Sequence, residues 1–130
     1  MADLLVTLSN PRGPKVYTES AATATLLPDV FGATASKLYA VKLDNSANTT
    51  EAVYLKLYEN NSATAANITV GTFVPLFVLK AGASKTVEMH IPGGIAVGSG
   101  LYLHAAVVTA GGTGGTTGPT GTVAVTLIGE

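Results

Sequence analysis

The chain contains no cysteine and no tryptophan, and its 130 residues carry few charges. Without cysteine there are no disulfides, no thiolate metal sites and no thiol nucleophiles. Only 12% of residues are charged and the formal net charge is −1. That is about half the usual charged share, and it gives little attraction to nucleic acid or anionic lipid. No stretch reaches the roughly 18 apolar residues of a membrane span. The start, Met1-Ala2-Asp3, lacks the basic flank and long apolar run of a secretory signal, so no classical export route is expected.

What remains is 47% apolar, rich in small residues and glycine. A chain of this length suits one domain with one core, and needs no covalent staples. Low charge also gives weak repulsion between copies. That fits a surface partly covered by neighbours, and it fits equally a neutral surface of Ala, Thr, Ser and Gly.

Strand signals recur between turn-rich pieces. Residues 4–8 place Leu4, Val6 and Leu8 on one face. Pro11 and Pro14 then interrupt any ladder, since proline has no N–H to donate. Residues 1–18 therefore read either as an extended arm or as a strand tucked into its own sheet, ahead of a domain over 19–130. Val16 to Thr18 suggests a short edge strand. A strand is expected near Thr23 to Leu27, ahead of a loop through Pro28 and Gly32. In KLYAVKLDN, Lys37, Tyr39, Val41 and Leu43 alternate with Leu38, Ala40, Lys42 and Asp44. In AVYLKLYEN, Val53, Leu55 and Leu57 oppose Tyr54, Lys56 and Tyr58. A short strand is expected over 67–70 and another over 75–79. Val87, Met89 and Ile91 form an inward set that Pro92-Gly93-Gly94 should end. Leu103, Ala105 and Val107 share one side of a long run. Val123, Val125 and Leu127 do so in the last strand. This makes about eight to ten short strands with no helix, which predicts an all-β, two-sheet β-sandwich, with a jelly roll as the expected form.

Searches for chemistry find little. His90 and His104, the two histidines, could meet across adjacent strands and hold a metal with a carboxylate. Their spacing matches no metal motif, and two independent strand histidines are the plainer reading. Glu51, Glu59 and Glu88 could supply the paired acids of glycoside hydrolysis. Ordinary solvation, or ion pairs with Lys42, Lys56 or Lys85, explains them more simply. No nucleophile elbow surrounds the serines. Gly111 to Gly115 lacks the lysine and helix of a phosphate loop. The expectation is therefore no enzyme, no cofactor and no metal. Tyr54 and Tyr58, with Tyr102, are candidates for a half-wet protein-contact patch. Leu4, Val6, Pro11 and Pro14 are the corresponding candidates on the N-terminal segment.

Over residues 31–129 the sequence resembles small structural proteins of tailed bacteriophage virions, and is similar to β-sandwich capsid decoration (cement) proteins. The resemblance is carried by LYAVKLDNSANTTEAVYLKLYEN, by VGTFVPLFVLKAGASKTVEMHIPGGIAVGSGL, and by the GGTGGTTGPTG loop with its terminal strand. It is a likeness of pattern without a diagnostic motif. It implies a virion protein on the capsid surface, made in the bacterial host cytoplasm. Its partners would be copies of itself, as a trimer, and the major capsid protein, with no nucleic acid and no membrane. The alternative within the same group is a receptor- or glycan-binding module of a fibre or tail.

Overall fold

The computed structural model describes residues 4–7, 15–64 and 68–130, the first of these by backbone alone. The expectations placed on Pro11, Pro14 and Asn67 lie outside the described residues. Among the described residues there is no helix, and none is long and apolar enough to cross a membrane. Eight strands form two antiparallel sheets. They are β1 (Leu4–Thr7), β2 (Lys15–Glu19), β3 (Lys37–Asp44), β4 (Val53–Asn60), β5 (Phe77–Ala81), β6 (Thr86–Ala96), β7 (Tyr102–Val108) and β8 (Ala124–Gly129). One sheet has the order β1-β2-β8-β3-β6 and the other β5-β4-β7.

A fourth, rudimentary strand extends the smaller sheet. Residues 22–30 run along the free edge of β7, with one bridge between Leu27 and Ala105. The N–H groups of Leu27 and Val30 donate to the carbonyls of Ala105 and Leu103, and that of Val107 donates to Thr23. Taking β2 as the first strand and this segment as the second, the sheets run 1-8-3-6 and 2-7-4-5. That nested order is a jelly roll, in which two Greek keys wrap one core. β1 lies outside it, paired antiparallel with β2. Because β2 pairs with β1 and with β8, it is not the edge strand expected over Val16 to Thr18.

The core lies between the sheets. Val53, Leu55 and Leu57 of β4 face Val125 and Leu127 of β8, together with Leu103, Ala105 and Val107 of β7. These rows are the ones the period-2 pattern assigns inward, because successive side chains on a strand point to opposite faces. Burying each such side chain contributes about 1.5–3 kcal/mol.

Two strands depart from simple alternation. In β3 the register shifts between Leu38 and Ala40. Leu38, Val41 and Leu43 all face the core, while Tyr39 is half-buried and bonds through its hydroxyl to Glu130. A bulge at Tyr39 thus moves Leu38 into the set it was expected to oppose. In β6 the strand continues through Pro92-Gly93-Gly94 instead of stopping there. Leu38 pairs with Ile95 and Ala40 with His90, so four residues of β6 loop out opposite Tyr39. Gly93 and Gly94 make this possible, with φ of 77° and 78°, a region that costs other residues strain. Met89 is 37% exposed despite its inward register, because β6 is the outermost strand of its sheet. The strand expected over 67–70 is not formed in the described part, where Ile68 and Thr69 are irregular and Val70 begins a turn.

Candidate functional site

The two outer faces of the sandwich differ. That of the five-stranded sheet is half-exposed, its centre intermediate in burial and its β6 edge exposed. Its cross-strand register builds a row Val16–Ile128–Ala40–His90 and a second row Thr18–Thr126–Lys42–Glu88. A third, shorter row runs Ala124–Asp44–Thr86. By register Val6 and Leu4 extend the first two rows, opposite Val16 and Thr18. The side chains at these two candidate positions lie outside the described residues. Because Ala40 is small and sits between Ile128 and His90, the face dips there. The result is a shallow groove of about 150 Å³, lined by Ala40, Lys42, Glu88, His90, Thr126 and Ile128.

Lys42 and Glu88 pair on this face, and Asp44 adds a second carboxylate. Lys42 Nζ lies 3.7 Å from Glu88 Oε1, with both side chains about half exposed. Such a pair contributes little to folding, about 0–1 kcal/mol, but it leaves one positive and one negative group at the groove rim. Asp44 accepts hydrogen bonds from Ser46 and from the Thr86 hydroxyl, at 2.5 and 3.0 Å. These bonds hold its carboxyl below the usual range.

The outer face of the smaller sheet is covered. Tyr58 is 1% exposed and Lys56 is fully buried. Tyr58 packs with Ile68 and Ala106, flanked by Leu26 and Val70, in a second apolar cluster. The Lys56 ammonium donates to the carbonyl of Gly112, which draws the glycine loop onto β4. Burial with one carbonyl partner pushes the Lys56 pKa down. Gly111 lies so close to the Tyr54 ring that a β-carbon would be 2.7 Å from it. Lys80 Nζ stands 5.7 Å from the centre of the same ring.

Of the three tyrosines expected in a half-wet contact patch, the covering removes Tyr58 from solvent. Tyr58 is interior, Tyr54 is half-buried beneath a loop and a lysine, and Tyr102 is half-buried at the start of β7. Alternation places Tyr54 and Tyr58 on the outer face, but it does not report whether loops cross that face.

The histidines are also separated. His90 is exposed in β6, whereas His104 is fully buried in β7 of the other sheet. Each faces outward from its own sheet, so the two cannot share a metal. No group of three metal-ligating side chains occurs among the described residues. The three glutamates lie apart. Glu51 and Glu59 flank nearly the whole of β4, about 26 Å of strand, and Glu88 belongs to the other sheet. Glu51 Oε1 accepts from Asn48 Nδ2 and from the N–H and hydroxyl of Thr120. These bonds lower its pKa. Glu59 accepts from the N–H of Gly98 at 2.8 Å.

His104 belongs to a buried polar cluster that the sequence did not single out. Its Nδ1 accepts from the N–H of Asp29 at 3.0 Å, and Tyr58 pairs with it across β4. Among the described residues, His104 Nε2, Tyr58 Oη and Asp29 Oδ1 are buried with no hydrogen-bond partner within normal distance. Burial pushes the His104 pKa down, opposed by the carbonyl of Ser62 and the carboxylate of Asp29. It pushes Asp29 and Tyr58 up, and for Asp29 the charges of His104 and Lys15 work against the shift.

No family model matches the chain, and no curated protein matches it in sequence.

Proposed function

We propose that the chain is a structural protein of a virus particle, which packs against copies of itself and binds the capsid shell to reinforce it. The observation that carries this reading is the half-exposed outer face of the five-stranded sheet, which no segment is seen to cross among the described residues. It is built of Val16, Ile128, Ala40, Thr18 and Thr126, with one ion pair, while loops cover the opposite face. Small and β-branched side chains on a twisted sheet leave a surface on which a second sheet can pack. The low charge of the whole chain adds little repulsion to such packing. The resemblance to decoration proteins points the same way and implies a trimer. The alternative, a glycan- or receptor-binding module, draws on the tyrosine-bearing strands and the long glycine loops, and the burial of Tyr58 weakens the first of these supports.

Thr126 stands mid-face between Thr18 and Lys42. The wild-type chain should sediment as an oligomer at micromolar concentration and pellet with undecorated capsid shells. Thr126→Arg should reduce both while leaving the melting temperature within about 2 °C, since surface substitutions change stability by about 0.5 kcal/mol or less. A wild-type chain that is strictly monomeric and ignores shells would remove the basis of this reading.

A further inference from the structure

We propose that His104 is an acid-sensitive latch: the neutral imidazole locks residues 22–31 onto β7, and protonation releases that segment and bares the edge of β7. This rests on the buried polar cluster and is independent of the proposed function.

The argument begins with tautomers. Nδ1 of His104 accepts from the backbone N–H of Asp29. A neutral imidazole has one acceptor nitrogen and one donor nitrogen, so the proton sits on Nε2. The tautomer is assigned from that bond. An imidazolium has a donor at both positions. Once Nδ1 carries a proton it faces the Asp29 N–H donor to donor, and the bond cannot persist. The partly buried Asp29 N–H would then lack its acceptor, which costs at most about 1–3 kcal/mol.

The alternative arrangement is close at hand. The Asp29 carboxyl has one buried oxygen with no partner among the described residues, is approached by the N–H groups of Ala33 and Gly32, and attracts His104 electrostatically. Asp29 also holds a left-handed backbone conformation, φ 48°, closed by the N–H of Gly32 donating to its carbonyl. An aspartate tolerates this region at some cost. Protonation thus removes the one bond from the turn to the imidazole, leaving its own Gly32–Asp29 closure, and offers its carboxylate a cation. Reaching it requires the turn to rotate out of its present conformation.

What moves with the turn is bounded by its bonds and by the core, to which Ala22, Val30 and Phe31 belong. Residues 22–31 meet β7 through Leu27, Val30, Ala105 and Val107, whose N–H groups make the backbone bonds that flank His104. The segment is the incomplete fourth strand of the smaller sheet. Its release would leave the carbonyls of Leu103 and Ala105 and the N–H groups of Ala105 and Val107 as an unpaired edge, ready to pair with another strand.

Few other charges face this site. From β4 there are Tyr58 directly opposite and Lys56 two residues before it. From β2, Lys15 acts on Asp29 and donates to the carbonyl of Phe31. Residues 61–76, which contribute the Ser62 carbonyl, contain no titratable side chain, and residues 20–36 contain only Asp29. The sign of the pH effect follows from burial. His104 has its pKa lowered in the folded chain, so folding favours the neutral ring. Its contribution is full above the ordinary histidine value near 6.5 and declines as pH falls below it, levelling off beneath the folded pKa. Asp29, whose pKa is raised, acts in the opposite direction as it takes up its own proton.

The test is amide hydrogen exchange with the histidine ring followed by ¹⁵N NMR, from about pH 7.5 downward. As the ring signal reports protonation of His104, protection factors at Leu27, Asp29 and Val30 should fall about tenfold or more, while that of Leu57 in β4 holds. His104→Asn places a non-titrating acceptor near the Nδ1 position and should make the same amides insensitive to pH. The latch is overturned if His104 stays neutral down to about pH 4. It is equally overturned if protection persists when the ring is protonated, if Leu57 loses protection in parallel, or if His104→Asn shows an undiminished pH response. Should that variant not fold, the wild-type measurements decide by themselves.

Discussion

Replacing Tyr58 with Phe should stabilise the protein, although it deletes a polar group from a buried tyrosine. The ring is 1% exposed and packs against Ile68 and Ala106, so its apolar contribution is retained by phenylalanine. The hydroxyl is buried and makes no hydrogen bond to the described residues. A buried polar group without a partner carries a desolvation cost of about 1–3 kcal/mol. The small void left by the oxygen returns only about 0.2–0.3 kcal/mol of that. A net gain of about 1–2 kcal/mol is expected. With about 2.1 cal/mol/K of unfolding entropy per residue, a 130-residue chain should then melt roughly 4–7 °C higher. Urea titration at about pH 7.5 should show a raised midpoint with an unchanged slope, which isolates stability from changes in compactness. Calorimetry provides the second measure. A loss of about 1 kcal/mol or more would show that the hydroxyl has a partner worth keeping, and the reasoning about this cluster would fail with it.

Three further outcomes are expected. Gly129→Ala should destabilise by about 1–3 kcal/mol in the same titration, because its β-carbon would lie 2.5 Å from the Lys37 carbonyl oxygen and 2.6 Å from the Phe31 ring. Glu51→Gln should flatten the acid side of the stability profile. The lowered pKa of Glu51 means its contribution is present above the ordinary carboxylate value and lost as pH falls through the folded value, and chemical denaturation between about pH 6 and pH 2 reads this directly. Removing the exposed Lys42–Glu88 pair by Glu88→Ala should change folding stability by less than about 1 kcal/mol. If the face is an interface, the same variant should alter the salt dependence of self-association, measured by sedimentation across ionic strength.

Much of the fold is legible in local pattern, and the exceptions have specific causes. In β4 the alternation of Val53, Leu55 and Leu57 with Tyr54, Lys56 and Tyr58 is continuous, and every inward residue reaches the core. In β3 the same reasoning assigns Tyr39 inward and Leu38 outward. The bulge reverses this, because one residue of β3 there faces four of β6. Pro92-Gly93-Gly94 reads locally as a stop, yet two glycines at positive φ allow the chain to loop out and rejoin the ladder. Thr23 to Leu27 reads as a strand and makes only one bridge, its remaining bonds to β7 being irregular.

The candidate site was less legible. Tyrosines on an outward face suggest contact, but Leu26, Ile68 and Val70 pack over Tyr58 and Gly111 lies against Tyr54, all from segments outside β4. The half-exposed face depends on Ala40, Thr126 and Ile128, residues without chemistry of their own. Only the register that sets β3 beside β8 makes them a surface.

The sequence by itself determines that this is an all-β chain and which residues of β4, β7 and β8 point inward. Those properties follow from the two-residue period of an extended backbone, which each segment carries alone. Tertiary structure decides the 1-8-3-6 and 2-7-4-5 order, the bulge at Tyr39, the separation of His90 from His104, and which outer face is covered. These depend on pairings between segments distant in sequence, where the free energy comes from contacts that no single segment contains.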